Sequence, residues 1–344
     1  MMFENGKRII SRRVEILRNG VVWGILEPTE NPSVSAGIDR ELKMIMQGAF
    51  RKKDGFKPER DVLKPIMTIN GTDYPVGEFI VSSLKEKHAQ NLDVIEIDAY
   101  DKTLVLKQSR TEGRLHIAHG TTYMSAIQAL LTQDGIDRAI SDECAETLQT
   151  DREDWEPGTP HLTIINDLLK EINFQNVWFD LRGNARLRKK REQTPANIDH
   201  TYNSGEFSII KPICTRSIDI YEIPNVFIAM VSNADYAEAM IAMAENNNPS
   251  SILSIGARGR RIVAPIEKLQ NIASQAELQA YVDKKRDASM LSEETVTFET
   301  ANVPTHEVGD VIALNHEVLH GLYTETQWSM RLGAGETMTH TARR

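Results

Sequence analysis

LDVIEIDAY, residues 92–100, is the segment from which the reading of this chain starts. Ile95, Ile97 and Ala99 alternate there with Glu96 and Asp98. A period of two puts one set of side chains on one face of a strand, whereas a helix repeats its apolar positions every three or four residues. Upstream, Gly77 opens a second strand signal, EFIVSS at 78–83. Within residues 38–46 the apolar Ile38, Leu42, Met44 and Met46 share one parity, broken by Arg40, which predicts one half-buried strand. Several short strands separated by polar turns over the first hundred residues predict a barrel or sandwich.

Downstream the period changes. From Gly120 onward, Met124, Ile127, Leu130, Leu131 and Asp134 follow helical spacing, and Gly135 supplies the stop. A second amphipathic helix is expected with Thr159 as cap, Pro160 at its first position, and Leu162, Ile165, Leu168, Leu169 and Ile172 on one face. Residues 177–187 (VWFDLRGNARL) read as a hairpin turning at Arg182-Gly183-Asn184. Residues 189–204 are polar and without periodicity, and predict a linker.

Strand signals resume at 207–213, 217–221 and 226–231, and a loop-rich stretch at 234–268, with Asn246-Asn247-Asn248-Pro249, interrupts them. Ser274-Gln275-Ala276-Glu277 is a capping box for a further helix with Leu278, Tyr281, Val282 and Lys285 on one side. Strands return at 295–300, 310–314 and 323–332. In the last, Trp328, Met330 and Leu332 alternate with Gln327, Ser329 and Arg331. Residues 333–344 are small, polar and basic, and predict a flexible end or a handle for a neighbouring subunit.

With 344 residues, 40% hydrophobic and 26% charged, the chain is expected to fold into two or three compact units. Met1 to Ser11 lacks the apolar core of a signal peptide, so synthesis in a cytosol is expected, with no membrane insertion. Cys144 and Cys214, the two cysteines, support neither a disulfide framework nor a cysteine zinc site. A formal charge of −9 leaves no general footprint for nucleic acid, and the basic clusters RLRKKR (186–191) and RGRR (258–261) lack interleaved aromatic residues and read as solvated loop or hairpin ends. His116 and His119 have no nearby ligand trio.

The sharpest enzymatic signal is HEVLH, a literal H-E-x-x-H match formed by His316, Glu317 and His320. Zinc peptidase chemistry needs it on a helix, where the two imidazoles share a face and the glutamate becomes the general base of a zinc-bound water. The flanking segments read as strands, which places the motif in a hairpin connection. Glu325 or Glu336 is available as a distant third ligand, but the residues standing at the extended metzincin positions are Tyr323 and Thr326. The chain is therefore expected not to be an enzyme and to hold no cofactor or metal, with a zinc peptidase using His316, Glu317 and His320 as the alternative.

Several stretches, in order along most of the chain, carry a resemblance to a known family. They are Gly120-Thr121-Thr122-Tyr123 with its helix, HLTIINDLLKEINF (161–174) with the following hairpin, and Ile223-Pro224-Asn225-Val226. Asn248-Pro249-Ser250-Ser251, the helix through 281–291 leading to ETVTFE (294–299), Val308-Gly309-Asp310-Val311 and Gln327-Trp328-Ser329-Met330 complete the series. In these the sequence resembles the baseplate-hub and tail-tip proteins of long-tailed phages, including the late-control protein D type. The resemblance implies an α+β, β-rich fold with two tail-tube-like β-barrel domains and a small mixed α/β domain. It places a first barrel at 1–115, the mixed domain at 116–190, a second barrel at 191–233 and 290–334, a helical and loop insertion at 234–289, and a flexible tail at 335–344. It further implies a homotrimeric virion structural protein of the tail, assembled in the host cytoplasm, that joins the hexameric tail tube to the trimeric tip or spike. Its expected partners are a tail-tube or distal-tail ring, a tip, spike or fibre protein, and the tape-measure protein. DNA is expected to pass during ejection without specific binding, and the acidic balance suits a repulsive lumen.

Overall fold

The computed structural model describes residues 8–89, 92–205, 208–218, 221, 223–231, 240–269, 274–290 and 294–344. Expectations placed on 1–7, 207, 219–220, 232–239 and 291 lie outside the described residues. In chain order, the elements begin with strands β1 (Ile10–Arg18), β2 (Val21–Leu26), β3 (Ser33–Gly37), β4 (Met44–Arg51), β5 (Val62–Ile69), β6 (Thr72–Pro75), β7 (Phe79–Ala89) and β8 (Leu92–Tyr100). A mixed segment follows: α1 (Thr103–Gln108), α2 (Tyr123–Gln133), β9 (Ala139–Ser141), α3 (His161–Glu171), β10 (Trp178–Phe179) and β11 (Ala185–Leu187). Then come β12 (Ile198–Asn203), β13 (Ile210–Ser217), β14 (Val226–Val231), β15 (Met240–Glu245), α4 (Ile255–Arg258), β16 (Glu267–Leu269) and α5 (Gln275–Met290). The chain closes with β17 (Thr295–Ala301), β18 (Val311–Asn315), β19 (His320–Arg331) and β20 (Thr337–Arg343). The protein is α+β and β-rich, and it divides into two compact units: Met1–Pro212 with Glu299–His340, and Ile213–Phe298 with Thr341–Arg344.

In the first unit one hydrogen-bonded path runs β19-β3-β4-β8-β7-β5-β1-β2, with β6 on β5, and β18 carrying β12 on the first half of β19. Early and late strands thus share a sheet through the β3–β19 pairing. Asn19-Gly20 and Asn70-Gly71 connect β1 to β2 and β5 to β6 with φ values of 53° and 78°, and 51° and 84°. Two consecutive left-handed residues match the right-handed twist of a two-residue hairpin, and the Asn-Gly pair adopts them at little cost. From Ile10↔Ile69 to Leu17↔Val62, β1 and β5 stay in register. That register turns Val14 and Ile16 inward with Leu63 and Met67, onto Phe50, Phe79, Ile95, Ile97, Trp328 and Met330. The alternation read at 92–100 and 323–332 is therefore the alternation of core and surface. Trp328 is 1% exposed, and truncating a side chain so buried costs about 3–5 kcal/mol.

A second core within this unit belongs to α2, α3 and the small sheet β10-β11-β9, where Ile127, Leu130, Leu131, Leu162, Ile165, Leu168 and Leu169 pack on Phe179 and Leu187. Thr122 caps α2 by accepting from the Ser125 amide at 3.1 Å, and Gly135 follows its end at φ 73°. Pro160 takes the cap position of α3 rather than its first helical residue. The hairpin turns at Gly183 as expected, with Asp180 Oδ1 accepting from the Arg182 and Asn184 amides, both at 2.9 Å.

Three sequence expectations are corrected here. Residues 38–46 are not one strand: β3 ends at Gly37 and β4 starts at Met44. Buried Lys43 holds the turn between them, its Nζ donating to the carbonyls of Ile38 and Arg40 at 2.5 Å each. The linker expected at 189–204 contains β12, paired in parallel with β18; Ile198, His200 and Tyr202 are the less exposed set, a period-two signal masked by its polar members. The flexible tail expected at 335–344 is mostly β20, whose Met338, His340 and Ala342 are fully buried.

In the second unit β14 pairs with β15 antiparallel and with β16 in parallel, so the strand expected at 226–231 belongs to this small sheet. Helix α5, capped by Ser274 accepting from the Glu277 amide at 3.2 Å, lays Leu278 and Val282 on Ala229, Val231, Ala242 and Ala244. Asn225 is fully buried and fastens the neighbouring loop: its Oδ1 accepts from the Ile262 amide at 2.7 Å, and its Nδ2 donates to the Arg260 carbonyl at 3.0 Å. No described helix is long and apolar enough to cross a membrane.

Candidate functional site: a buried histidine cluster and two exposed apolar strand surfaces

HEVLH lies in the hairpin between β18 and β19. The His316 amide donates to the Leu319 carbonyl at 2.9 Å, and Asn315 faces His320 across the strand pair. His316 is buried while Glu317 and His320 are exposed, and none of the three belongs to a group of convergent ligand atoms among the described residues. A hairpin offers no helical face on which the two imidazoles could meet. His116 and His119 are exposed, the first beside Glu153 at 3.0 Å. Cys144 and Cys214 are free and half-buried. The basic cluster at 186–191 is less solvated than its composition predicts: the Arg188 guanidinium lies 4.9 Å from the Trp178 ring centre, and Arg191 pairs with Asp199 at 2.8 Å.

The titratable groups that do converge are different ones, all in the first unit. Glu325 on β19 presents one carboxylate oxygen to His306 Nδ1 and the other to His340 Nδ1, the latter at 2.6 Å. His306 sits in the loop between β17 and β18, and His340 on β20. On their far sides, His306 Nε2 meets the Tyr202 hydroxyl from β12, and His340 Nε2 meets Thr300 Oγ1 from β17 at 2.9 Å. Glu325, His306, His340 and Thr300 are fully buried. His200 stacks on His306 with ring centres 3.7 Å apart, and reaches Asp310 at 3.3 Å.

Burial and the contacts between charged partners oppose each other in this cluster. Desolvation lowers the His306 imidazolium to about 4, so the ring is neutral at ordinary pH. Burial alone would raise the Glu325 carboxyl, but the two histidines outweigh it and hold the group at about 2. Desolvation likewise pushes the Tyr202 phenol well up. Spacing in the sequence gives no sign of this cluster, because its members come from separate strands and a loop between residues 200 and 340. Only Glu325 is a residue the sequence reading weighs, and then for the HEVLH motif.

Each unit also exposes an apolar strand surface. In the first, β2 ends the sheet path, and no further strand pairs with it among the described residues. Val21, Trp23 and Ile25 share one parity there with exposures of 69, 39 and 46%; Trp23 is flanked by the Arg18 guanidinium at 4.2 Å. In the second unit, the face of β14 and β15 turned away from α5 pairs Ile228 with Met243 and Met230 with Ile241. Ile241 and Met243 are open to solvent, while their backbone carbonyls accept from Gln275 and Gln279 of α5 at 2.9 and 3.0 Å. The strand edge is satisfied and the side chains are not covered. Contiguous exposed apolar surface of this kind marks contact with other proteins.

No protein-family model matches the chain, and no curated protein matches it in sequence. Solved structures do match in fold. The tail protein from Neisseria meningitidis MC58 is 12% identical with a TM-score of 0.71, over 97% of this chain and 96% of that one. The 43 kDa tail protein of prophage MuSo2 from Shewanella oneidensis is 12% identical with a TM-score of 0.70, over 97% and 98% of the two chains. A component of the E. coli type VI secretion system, itself structurally similar to bacteriophage T4 tail proteins, is 10% identical with a TM-score of 0.53, over 95% of this chain and 76% of its own. Across nearly its whole length, the chain has the fold of phage and prophage tail proteins.

Proposed function

We propose that this protein is a structural subunit of a phage tail tip or baseplate, or of a related injection machine, acting as the hub that joins tail tube to tip. The observation that carries this reading is the likeness in fold to two tail proteins over nearly the whole of each chain. In this reading the chain is a homotrimer of the late-control protein D type, located in the virion tail and lining the channel for DNA. Above it sits a tail-tube or distal-tail ring, below it a tip, spike or fibre protein, with the tape-measure protein within reach. The role is mechanical rather than enzymatic. The apolar surfaces on β2 and on the β14–β15 face are suited to such assembly, because a ring subunit must cover side chains that a free subunit exposes.

Light scattering on the purified full chain tests the oligomeric part. The expected mass is about three times the 38.8 kDa of one chain. A monomer over the micromolar range, with or without a co-expressed tube subunit, would contradict it.

A further inference from the structure

We infer that Glu325, His306 and His340 form a structural site for one divalent first-row transition ion, zinc foremost. The inference goes beyond the assembly role and does not depend on it. It rests on the convergence and burial of three side chains. His340 Nε2 is held by Thr300 Oγ1 at 2.9 Å, and that hydroxyl also reaches the Ala301 carbonyl, 2.9 Å away. His340 Nδ1 faces one Glu325 oxygen 2.6 Å away. The Tyr202 hydroxyl meets His306 Nε2, and His306 Nδ1 faces the other Glu325 oxygen. One ligand atom from each of Glu325, His306 and His340 lies within 4.8 Å of the other two, and all three side chains are fully buried.

A buried carboxylate is costly unless a positive centre stands beside it, and an ion held by the two Nδ1 atoms supplies one. Two neutral imidazoles with one carboxylate are the mixed nitrogen and oxygen donor set of a first-row ion, and hydrogen bonds from each Nε2–H are the outer contacts that aim such ligands. Bonds of about 2.0–2.2 Å require the carboxylate to recede by less than about 1 Å. The full burial of all three ligands points to a closed structural site with no open position for a substrate. Bound there, the ion ties the loop carrying His306 to β19 and β20, and His200, stacked on His306, fixes that ring's plane. Calcium and magnesium, which prefer all-oxygen shells, fit this donor set poorly.

The test uses the full chain with any affinity tag removed, analysed for metal by mass spectrometry after gel filtration. About one ion per chain is expected. His306→Ala and His340→Ala should lose it, whereas His316→Ala and His320→Ala should keep it. Because the first two variants remove buried side chains and can unfold, the wild type is also stripped with a chelator and reloaded. Cobalt(II) should then give visible ligand-field absorption, and zinc should raise the melting temperature by several degrees where calcium does not. Metal-free protein with no cobalt spectrum and no zinc response would overturn the site, leaving both Nδ1 atoms protonated. Metal that survives loss of His306 and His340 in folded variants but disappears with His316 or His320 would overturn it equally.

Discussion

Gly183→Ala is the substitution whose cost follows most directly from the structure. Gly183 has φ 76°, a left-handed conformation that costs an L-residue with a Cβ about 1–2 kcal/mol. The added methyl would also overlap the Glu78 carboxylate and approach its Cγ to 2.9 Å. Glu78 cannot retreat freely: it is 6% exposed and accepts from Lys102 Nζ at 2.9 Å and from Arg138 at 2.7 Å. Pushing it off these partners weakens charged hydrogen bonds worth about 1.5–3 kcal/mol. The sum is about 3–4 kcal/mol, which corresponds to a fall of roughly 1–2 M in the urea midpoint for ordinary slopes. The control is Glu78→Ala, which removes the obstacle: in that background Gly183→Ala should cost only its backbone share, about 1 kcal/mol, giving a coupling of about 2 kcal/mol between the two sites. Equilibrium unfolding of the four proteins, followed by tryptophan fluorescence, measures this. Equal losses in both backgrounds, or a single variant within about 0.5 kcal/mol of wild type, would refute the argument.

Asp101 predicts a pH dependence of opposite sign to that of most carboxylates. Burial raises it from 3.8 to about 7, and one of its oxygens has no hydrogen-bond partner. Between pH 3.8 and 7 the folded chain therefore holds a proton that the unfolded chain has lost, so this group's contribution falls as pH rises toward 7 and is absent above it, by at most about 4 kcal/mol. Asp101→Asn should remove that slope and be more stable than wild type at pH 8; parallel stability profiles from pH 5 to 8 would exclude the effect. In the second unit, Asn225→Leu strands the Ile262 amide and the Arg260 carbonyl, so a loss of about 2–4 kcal/mol is expected, with faster hydrogen exchange at Ile262. Unchanged exchange there would show that Asn225 does not hold the loop.

Strong periodicity was legible and weak polarity was not. The strands at 92–100 and 323–332, helices α2, α3 and α5, and the Gly183 hairpin follow from apolar spacing and capping residues that act locally. Residues 38–46 misled because Ile38 and Met44 do share a parity and both reach the core, yet a turn held by Lys43 lies between them. β12 and β20 carry a weak signal because His200, Tyr202 and His340 stand among their inward positions, and the burial of these side chains depends on partners from distant segments. The same dependence hid the histidine cluster, while the one motif visible by spacing, HEVLH, falls in a hairpin where its histidines do not meet.

The central claim is that this chain is a fixed component of a tail tip or baseplate, and locating it in an assembled particle tests that most directly. A small epitope tag on the exposed segment around Val318, imaged by electron microscopy of gold-labelled virions, should mark the distal end of the tail and no other region. Label distributed along the whole tube, or purified particles lacking the chain altogether, would contradict the account.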